Sequence, residues 1–218
     1  MADYFCTACR TPFLNAYPLD EQGRCGLCRS GLNGFDEAYS FGAYEGTLRK
    51  LIHLLKYGGI RTLAKPLGGF LRATLPLDQQ FDVVVPLPLH WRRAWNRGFN
   101  QSHLLAREVA PRCGALVVKA VRRIRATASQ AGLTHAKRRA NVAGAFEVRR
   151  PEAVRDRRVL LLDDVMTTGA TASACAMVLR RAGARRVTVL TLARVDRRFW
   201  MPAADLAPRS ATARSASA

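Results

Sequence analysis

Val159-Leu160-Leu161-Leu162-Asp163-Asp164-Val165-Met166-Thr167-Thr168-Gly169-Ala170-Thr171 is the stretch from which the fold is read. Four consecutive aliphatic residues make a short buried strand. The strand delivers two adjacent carboxylates, Asp163 and Asp164, to its C-terminal end. A Thr/Gly loop follows, and then an apolar-periodic helix over 170–182 that stops at Gly183. In open α/β sheets that edge is where ligands bind. Thr167, Thr168, Gly169, Ala170 and Thr171 offer hydroxyls, backbone amides and a close backbone approach at a helix N-terminus, which together favour a phosphate dianion. Two carboxylates beside such a cradle suit ribose hydroxyls, met directly or through Mg2+. The pattern therefore describes a ribose-5-phosphate site. The bland reading is a buried strand and a capped helix, with both aspartates merely solvated.

Working outward, strands and helices alternate. Residues 38–44 alternate in polarity like a strand. Residues 45–57 place Leu48, Leu51, Ile52 and Leu55 at helical spacing ahead of Gly58-Gly59. A second helix is expected over 63–75, a buried strand over 81–86, a helix over 100–110, an apolar stretch at 115–118 and a strand over 186–192. Residues 119–144 are polar, basic and without a clear period. Strands separated by helices imply an α/β fold with a doubly wound, mainly parallel sheet. Residues 201–218, rich in Ala, Ser, Arg and Pro, read as a disordered tail.

The first 34 residues are different. Cys6-x2-Cys9 and Cys25-x2-Cys28 are separated by fifteen residues, the spacing of a four-sulfur zinc site. Two knuckles close a tetrahedral shell with no open position, so the ion is structural. Gly26 and Gly31 are expected to relieve strain at the second knuckle. Two disulfides are the alternative, one that a reducing compartment disfavours. A module of this size buries too little apolar surface to fold without its metal. Cys113 and Cys175 stand alone and read as small buried hydrophobes.

The chain has 218 residues, 49% hydrophobic and 23% charged, an ordinary globular balance that excludes fibrous and disordered classes. Its longest aliphatic runs are far short of the roughly 20 residues of a membrane span. Met1–Cys6 has neither a basic nor an apolar leader region, so the cytoplasm is the expected location. The net charge is +19. Residues 1–34 are neutral and 201–218 carry +1, which leaves +18 on 35–200. That field favours polyanions such as nucleic acid or phosphate esters. With only five lysines against thirty arginines, coding bias explains the global charge equally well.

The 159–171 stretch resembles the phosphoribosyl pyrophosphate signature of type I phosphoribosyltransferases. More narrowly, a run of motifs resembles the ComF (competence protein F) family. These are the four-cysteine ribbon, Tyr44-Glu45-Gly46-x-Leu48-Arg49-x-Leu51-Ile52-His53-x-Leu55-Lys56-Tyr57, Val85-Pro86-Leu87-Pro88-Leu89-His90, and Arg97-Gly98-Phe99-Asn100-Gln101-Ser102. Gln130-x-x-Leu133-Thr134, Arg139-x-Asn141-Val142 and Phe146 follow in order. The resemblance covers about residues 5–195 and implies a ribbon over 1–34 and a phosphoribosyltransferase-like domain over 35–200. It further implies an association with uptake of single-stranded DNA in natural transformation, or a housekeeping relative of that role, with a helicase or channel of the uptake machinery as the partner it suggests.

The same resemblance places a pyrophosphate loop at Pro86, Leu87 and Pro88, with Arg92, Arg93 or Arg97 as its cation; a proline-stiffened turn is the plainer reading. It also places a flexible hood loop in 119–139, with Lys137, Arg138 and Arg139 closing over the ligand. A strand holding DNA phosphates fits that charge equally well. Trp91, Trp95 and Phe99 interleave with arginines, which suits stacked bases, although core packing is expected at least as strongly. His53, His90, His103 and His135 show no metal pairing. Purine salvage enzymes carry an acid as the first loop residue, where this chain has Thr167, a poor general base. A hypoxanthine- or guanine-type transferase is therefore disfavoured. Three functions remain: a phosphoribosyl pyrophosphate-binding protein of DNA uptake, an active Mg-dependent nucleobase transferase, and a non-catalytic nucleic-acid-binding module.

Overall fold

The computed structural model describes residues 4–13, 16–17, 19–29, 34–91, 95, 97–125 and 141–195. In chain order the elements are β1 (Tyr4–Phe5), β2 (Pro12–Phe13), α1 (Gly26–Arg29), β3 (Glu37–Ala43), α2 (Gly46–Lys56), α3 (Ala64–Thr74) and β4 (Val83–Pro86). They continue with α4 (Gln101–Cys113), β5 (Leu116–Val117), β6 (Val121–Arg123), β7 (Phe146–Val148), β8 (Arg158–Met166), α5 (Ala170–Arg181) and β9 (Arg186–Arg194).

Five parallel strands form the central sheet in the order β3-β9-β8-β4-β5. Strand alternation sends successive residues to opposite faces, and each face is covered. Leu160, Leu162, Leu190 and Val84 pack beneath α2, α3 and α4, with Ile52, Leu55, Leu67 and Leu105 fully buried. Val159, Leu161, Val187 and Val189 face α5, the β6–β7 ribbon and the cysteines. This is the expected doubly wound α/β arrangement.

Local chemistry sets the ends of the elements. Asn100 caps α4, its side chain accepting from the Ser102 amide at 2.9 Å, and the helix runs past Ala110 through Pro111 to a left-handed Gly114. Pro66 is tolerated in α3 because it lies in the first turn. β8 is longer than the apolar run suggested. Its pairing with β9 continues through Val165↔Ala193 and Met166↔Arg194, so Asp163 and Asp164 lie inside the strand. The stretch from 119 is not wholly without period either: Val121–Arg123 pairs antiparallel with Phe146–Val148. Phe146 and Val121 are buried at that junction.

In the N-terminal module β1 and β2 form a hairpin, and the left-handed turn falls at Gly23, with φ 69°, where a Cβ would collide with Thr7. Gly26 sits in α1 with no such conformation, and Gly31 lies outside the described residues. The glycine that relieves this turn therefore precedes the second knuckle. The 201–218 tail also lies outside the described residues. Among the described residues, no helix is long and apolar enough to cross a membrane.

Candidate functional site

At the C-terminal edge of the sheet a cavity of about 300 Å3 is bounded by the ends of α2, β4, β6 and β8 and the start of α5. Both carboxylates line it. Asp163 Oδ1 accepts from Ser102 Oγ at 3.1 Å and from the Asp164 amide at 2.9 Å. Removal from water and the neighbouring Asp164 charge push the Asp163 carboxyl up to about 7. Asp164, 3% exposed, follows Leu160 and Leu162 towards α2 and meets Lys56 Nζ at 2.9 Å. Burial alone would lower the Lys56 ammonium, but Asp164 and then Asp163 outweigh it and hold the group above its ordinary value.

The Thr/Gly loop closes the other side. Gly169 takes φ 78°, which turns the chain into α5, and Thr168 Oγ1 accepts from the Ala170 amide at 3.3 Å. Thr167, Gly169 and Thr171 line the cavity. Thr168 and Ala170 instead build the helix entrance, Ala170 being buried.

Among the expected pyrophosphate-loop residues, Leu87 lines the cavity and Pro86 and Pro88 do not. Leu87 is fixed by its amide to the Leu162 carbonyl at 2.8 Å and by Asn100 Nδ2 donating to its own carbonyl at 3.1 Å. Arg97 reaches the cavity, donating to Gln101 Oε1 at 2.6 Å and lying 5.1 Å over the Tyr57 ring. Arg92 and Arg93 lie outside the described residues, as do Lys137, Arg138 and Arg139. The stem of the expected hood loop is described: a bridge between His90 and Arg123 brings β6 beside the loop after β4, and Arg123 lines the cavity. Core packing of the tryptophans is overturned. Trp91 is 63% and Trp95 85% exposed, while Phe99 packs partly buried against the helix layer.

Sequence reasoning passed over Lys56, Ser102 and Arg123 as site residues. The signal for Lys56 was available: it sits four residues after Ile52, on the face of α2 that turns into the core.

A divalent ion at the acid pair fits poorly. One oxygen of Asp163 already accepts two hydrogen bonds, and one of Asp164 carries an ammonium group. The cysteines, in contrast, are a convergent donor set. The four sulfurs of Cys6, Cys9, Cys25 and Cys28 lie within 4.8 Å of one another and can hold a metal ion. The separations of 3.6 Å for Cys6–Cys28 and 3.7 Å for Cys9–Cys25 are far beyond a sulfur–sulfur bond of about 2.05 Å, and all six cysteines are free. Backbone amides of Cys9 and Cys25 donate to Cys6 Sγ at 3.5 and 3.3 Å. The Cys6 thiol is lowered to about 6, first by hydrogen bonding from Cys25 and then from Cys28. Thr11 Oγ1 lies 2.9 Å from Cys9 Sγ, and the buried Arg194 guanidinium donates to both Thr11 Oγ1 and the Cys9 carbonyl. Cys175 is buried as expected, and Cys113 is partly exposed.

No family model matches the chain. The DNA utilization protein YhgH of Escherichia coli (strain K12) is 36% identical over 179 residues, covering 78% of this chain and 77% of that protein. Competence protein F of Haemophilus influenzae is 32% identical over 182 residues, 78% of each. Competence protein ComFC of Streptococcus pneumoniae is 29% identical over 151 residues, covering 69% and 65%. Among solved structures, the allosteric regulatory enzyme of purine biosynthesis superposes with a TM-score of 0.43 at 23% identity, over 60% of this chain. This chain spans a quarter of that enzyme's length. A hypoxanthine phosphoribosyltransferase from Staphylococcus aureus gives 0.34 at 16% identity, over 63% and 64%.

Proposed function

The chain belongs to the competence protein F (ComF) family, and on that premise we propose that it is a phosphoribosyl pyrophosphate-binding protein acting in the uptake and use of single-stranded DNA. One observation carries the ligand: the acid pair Asp163–Asp164, the Thr167–Thr171 loop at the start of α5, and Arg97 all meet at one cavity. In this reading the loop amides and hydroxyls hold the 5-phosphate, a helix N-terminus adding its dipole. The carboxylates accept from the ribose hydroxyls. Arg97 and Arg123 meet the pyrophosphate, with Arg92, Arg93 and the Lys137–Arg139 cluster as further cations from the adjoining loops. The four cysteines hold structural zinc, which fits an all-sulfur shell. The names of the relatives, DNA utilization protein and competence protein, support the cellular role. The cytoplasm as its place and a helicase of the uptake machinery as a partner belong to the same proposal. Thr167 stands where a purine-salvage enzyme would hold an acid, so transfer to hypoxanthine or guanine is not part of the proposal.

Titration calorimetry of phosphoribosyl pyrophosphate on the wild type and on Asp163→Asn/Asp164→Asn tests the ligand. The expected outcome is micromolar binding that the double variant loses. Heat of binding that persists unchanged in the double variant would place the ligand elsewhere, and no heat in either would end the ribose-phosphate reading. For the cellular role, disruption of the gene in a competent host is expected to lower transformation; an unchanged transformation frequency would overturn it.

A further inference from the structure

The geometry points to Lys56 as a built-in cation that takes the place of a divalent ion at the acid pair, so that the ribose-phosphate ligand is bound without magnesium at the carboxylates. This rests on the ribose-phosphate reading above.

The ammonium lies 2.9 Å from Asp164 Oδ2, with the two side chains 15% and 4% exposed. A buried carboxylate pair needs a neighbouring positive charge, because two like charges cannot both stay ionised away from water. In many phosphate sites a bound metal supplies that charge. Here the chain supplies it. Lys56 is held in place by its own helix: Ile52 and Leu55, fully buried one turn and one residue before it, fix the last turn of α2 against the sheet. Asp163 is committed as well, one oxygen accepting from Ser102 and from the Asp164 amide. A metal seeking both carboxylates meets the lysine charge on one oxygen of Asp164 and finds one oxygen of Asp163 already taken. The charge balance agrees. Among the described residues, the lining carries three cations, Lys56, Arg97 and Arg123, against the two aspartates. The cavity is thus positive before any ion arrives, as an anionic ligand requires. Lys56 is a positioning residue in this scheme: it holds the Asp164 carboxylate charged and aimed beside Asp163, and no bond to it forms or breaks.

The test titrates phosphoribosyl pyrophosphate into the zinc-loaded full chain, first in buffer freed of magnesium over a chelating resin, then with millimolar magnesium added. Wild-type affinities in the two buffers are expected to agree within about three-fold, well under the 1.4 kcal/mol that a ten-fold change represents. Lys56→Gln is expected to weaken binding about ten-fold or more without magnesium, as loss of one member of a buried charge pair does, and to regain most of it with magnesium. Lys56→Arg keeps the charge and is expected to stay magnesium-independent. A second readout uses Mn2+ alone, followed by water-proton relaxation. Wild type is expected to leave Mn2+ free, and Lys56→Gln to bind it at the vacated pair. Wild-type binding that appears only with magnesium overturns the inference while leaving the ribose-phosphate reading standing, and that comparison needs no variant to fold. Wild type taking up Mn2+ as well as Lys56→Gln also overturns it. No binding in either buffer overturns the ribose-phosphate reading and this inference with it.

Discussion

A methyl group at position 68 would lie 2.3 Å from Glu108 Cβ, so α3 and α4 approach each other there with no room for a side chain. Gly68→Ala is expected to destabilise the protein by about 1–3 kcal/mol through forced separation of the two helices, measured as a lower urea midpoint at unchanged slope. Nothing in the sequence marked Gly68, because the constraint comes from a residue forty positions away. Other residues were legible. The four cysteines announced themselves by spacing alone, and Asp163, Asp164 and the Thr/Gly loop by an unbroken motif. Lys56 was half-legible. Its helical position aimed it inward, but only the fold shows that the inward direction ends on Asp164. Arg123 was read as one of several basic residues without period, and its place at the cavity depends on the bridge to His90. Trp91 and Trp95 were misread because large aromatics usually bury, a tendency that says nothing about a particular loop.

Between elements, Asp82 and Arg158 tie the start of β4 to the start of β8. Asp82 accepts from the Arg158 amide at 2.7 Å and from its guanidinium at 2.7 and 3.1 Å. Hydrogen bonding from the Arg158 side chain lowers the Asp82 carboxyl from its ordinary 3.8 to about 2. The folded value lies below the unfolded one, so the contribution stands in full above pH 3.8 and is lost as the pH falls through about 2. Urea midpoints across that acid window are expected to fall more steeply in wild type than in Asp82→Asn; parallel curves would show that the tie contributes nothing. Arg158 is exposed, so the gain is modest. The aliphatic runs of β4, β8 and β9 were legible because strands covered on both faces are apolar without alternation. β6 and β7 were not, since each is three residues long, with two charged side chains in β6 and one in β7. Only their mutual pairing defines them.

Over the whole molecule, a buried side chain helps to join the N-terminal ribbon to the sheet, beside the Ala38 amide that donates to the Ala8 carbonyl at 3.1 Å and the core that Cys6, Cys9 and Cys25 share with the strands. Arg194, the last residue of β9, reaches the Cys9 carbonyl and Thr11, and Met166 at the mouth of the cavity is its partner on β8. Stripping the metal with a chelator is expected to unfold the ribbon and lower the melting temperature, while far-ultraviolet dichroism of the sheet and its helices persists at low temperature. Arg194→Ala is expected to weaken metal retention about ten-fold in a chelator competition, as loss of a residue supporting a ligand does. If retention matches wild type, the arginine is only a packing contact. The net charge of +19 was plain from composition, yet composition could not divide it between a cavity and an outer surface. Among the described residues, the last strand to be made also partners the first of the sheet. β3 lies at the edge and pairs with β9, Glu37 opposite Thr188, so 151 residues of synthesis separate the two. At typical ribosomal rates that is a wait of roughly 8–30 s. During it the nascent chain carries a complete set of cysteines and an unpaired strand, and neither Thr188 nor Arg194 yet exists. The ribbon can take up its ion long before the sheet can receive it, so a stop codon between Cys28 and β9 leaves a metal-loaded head with nowhere to dock.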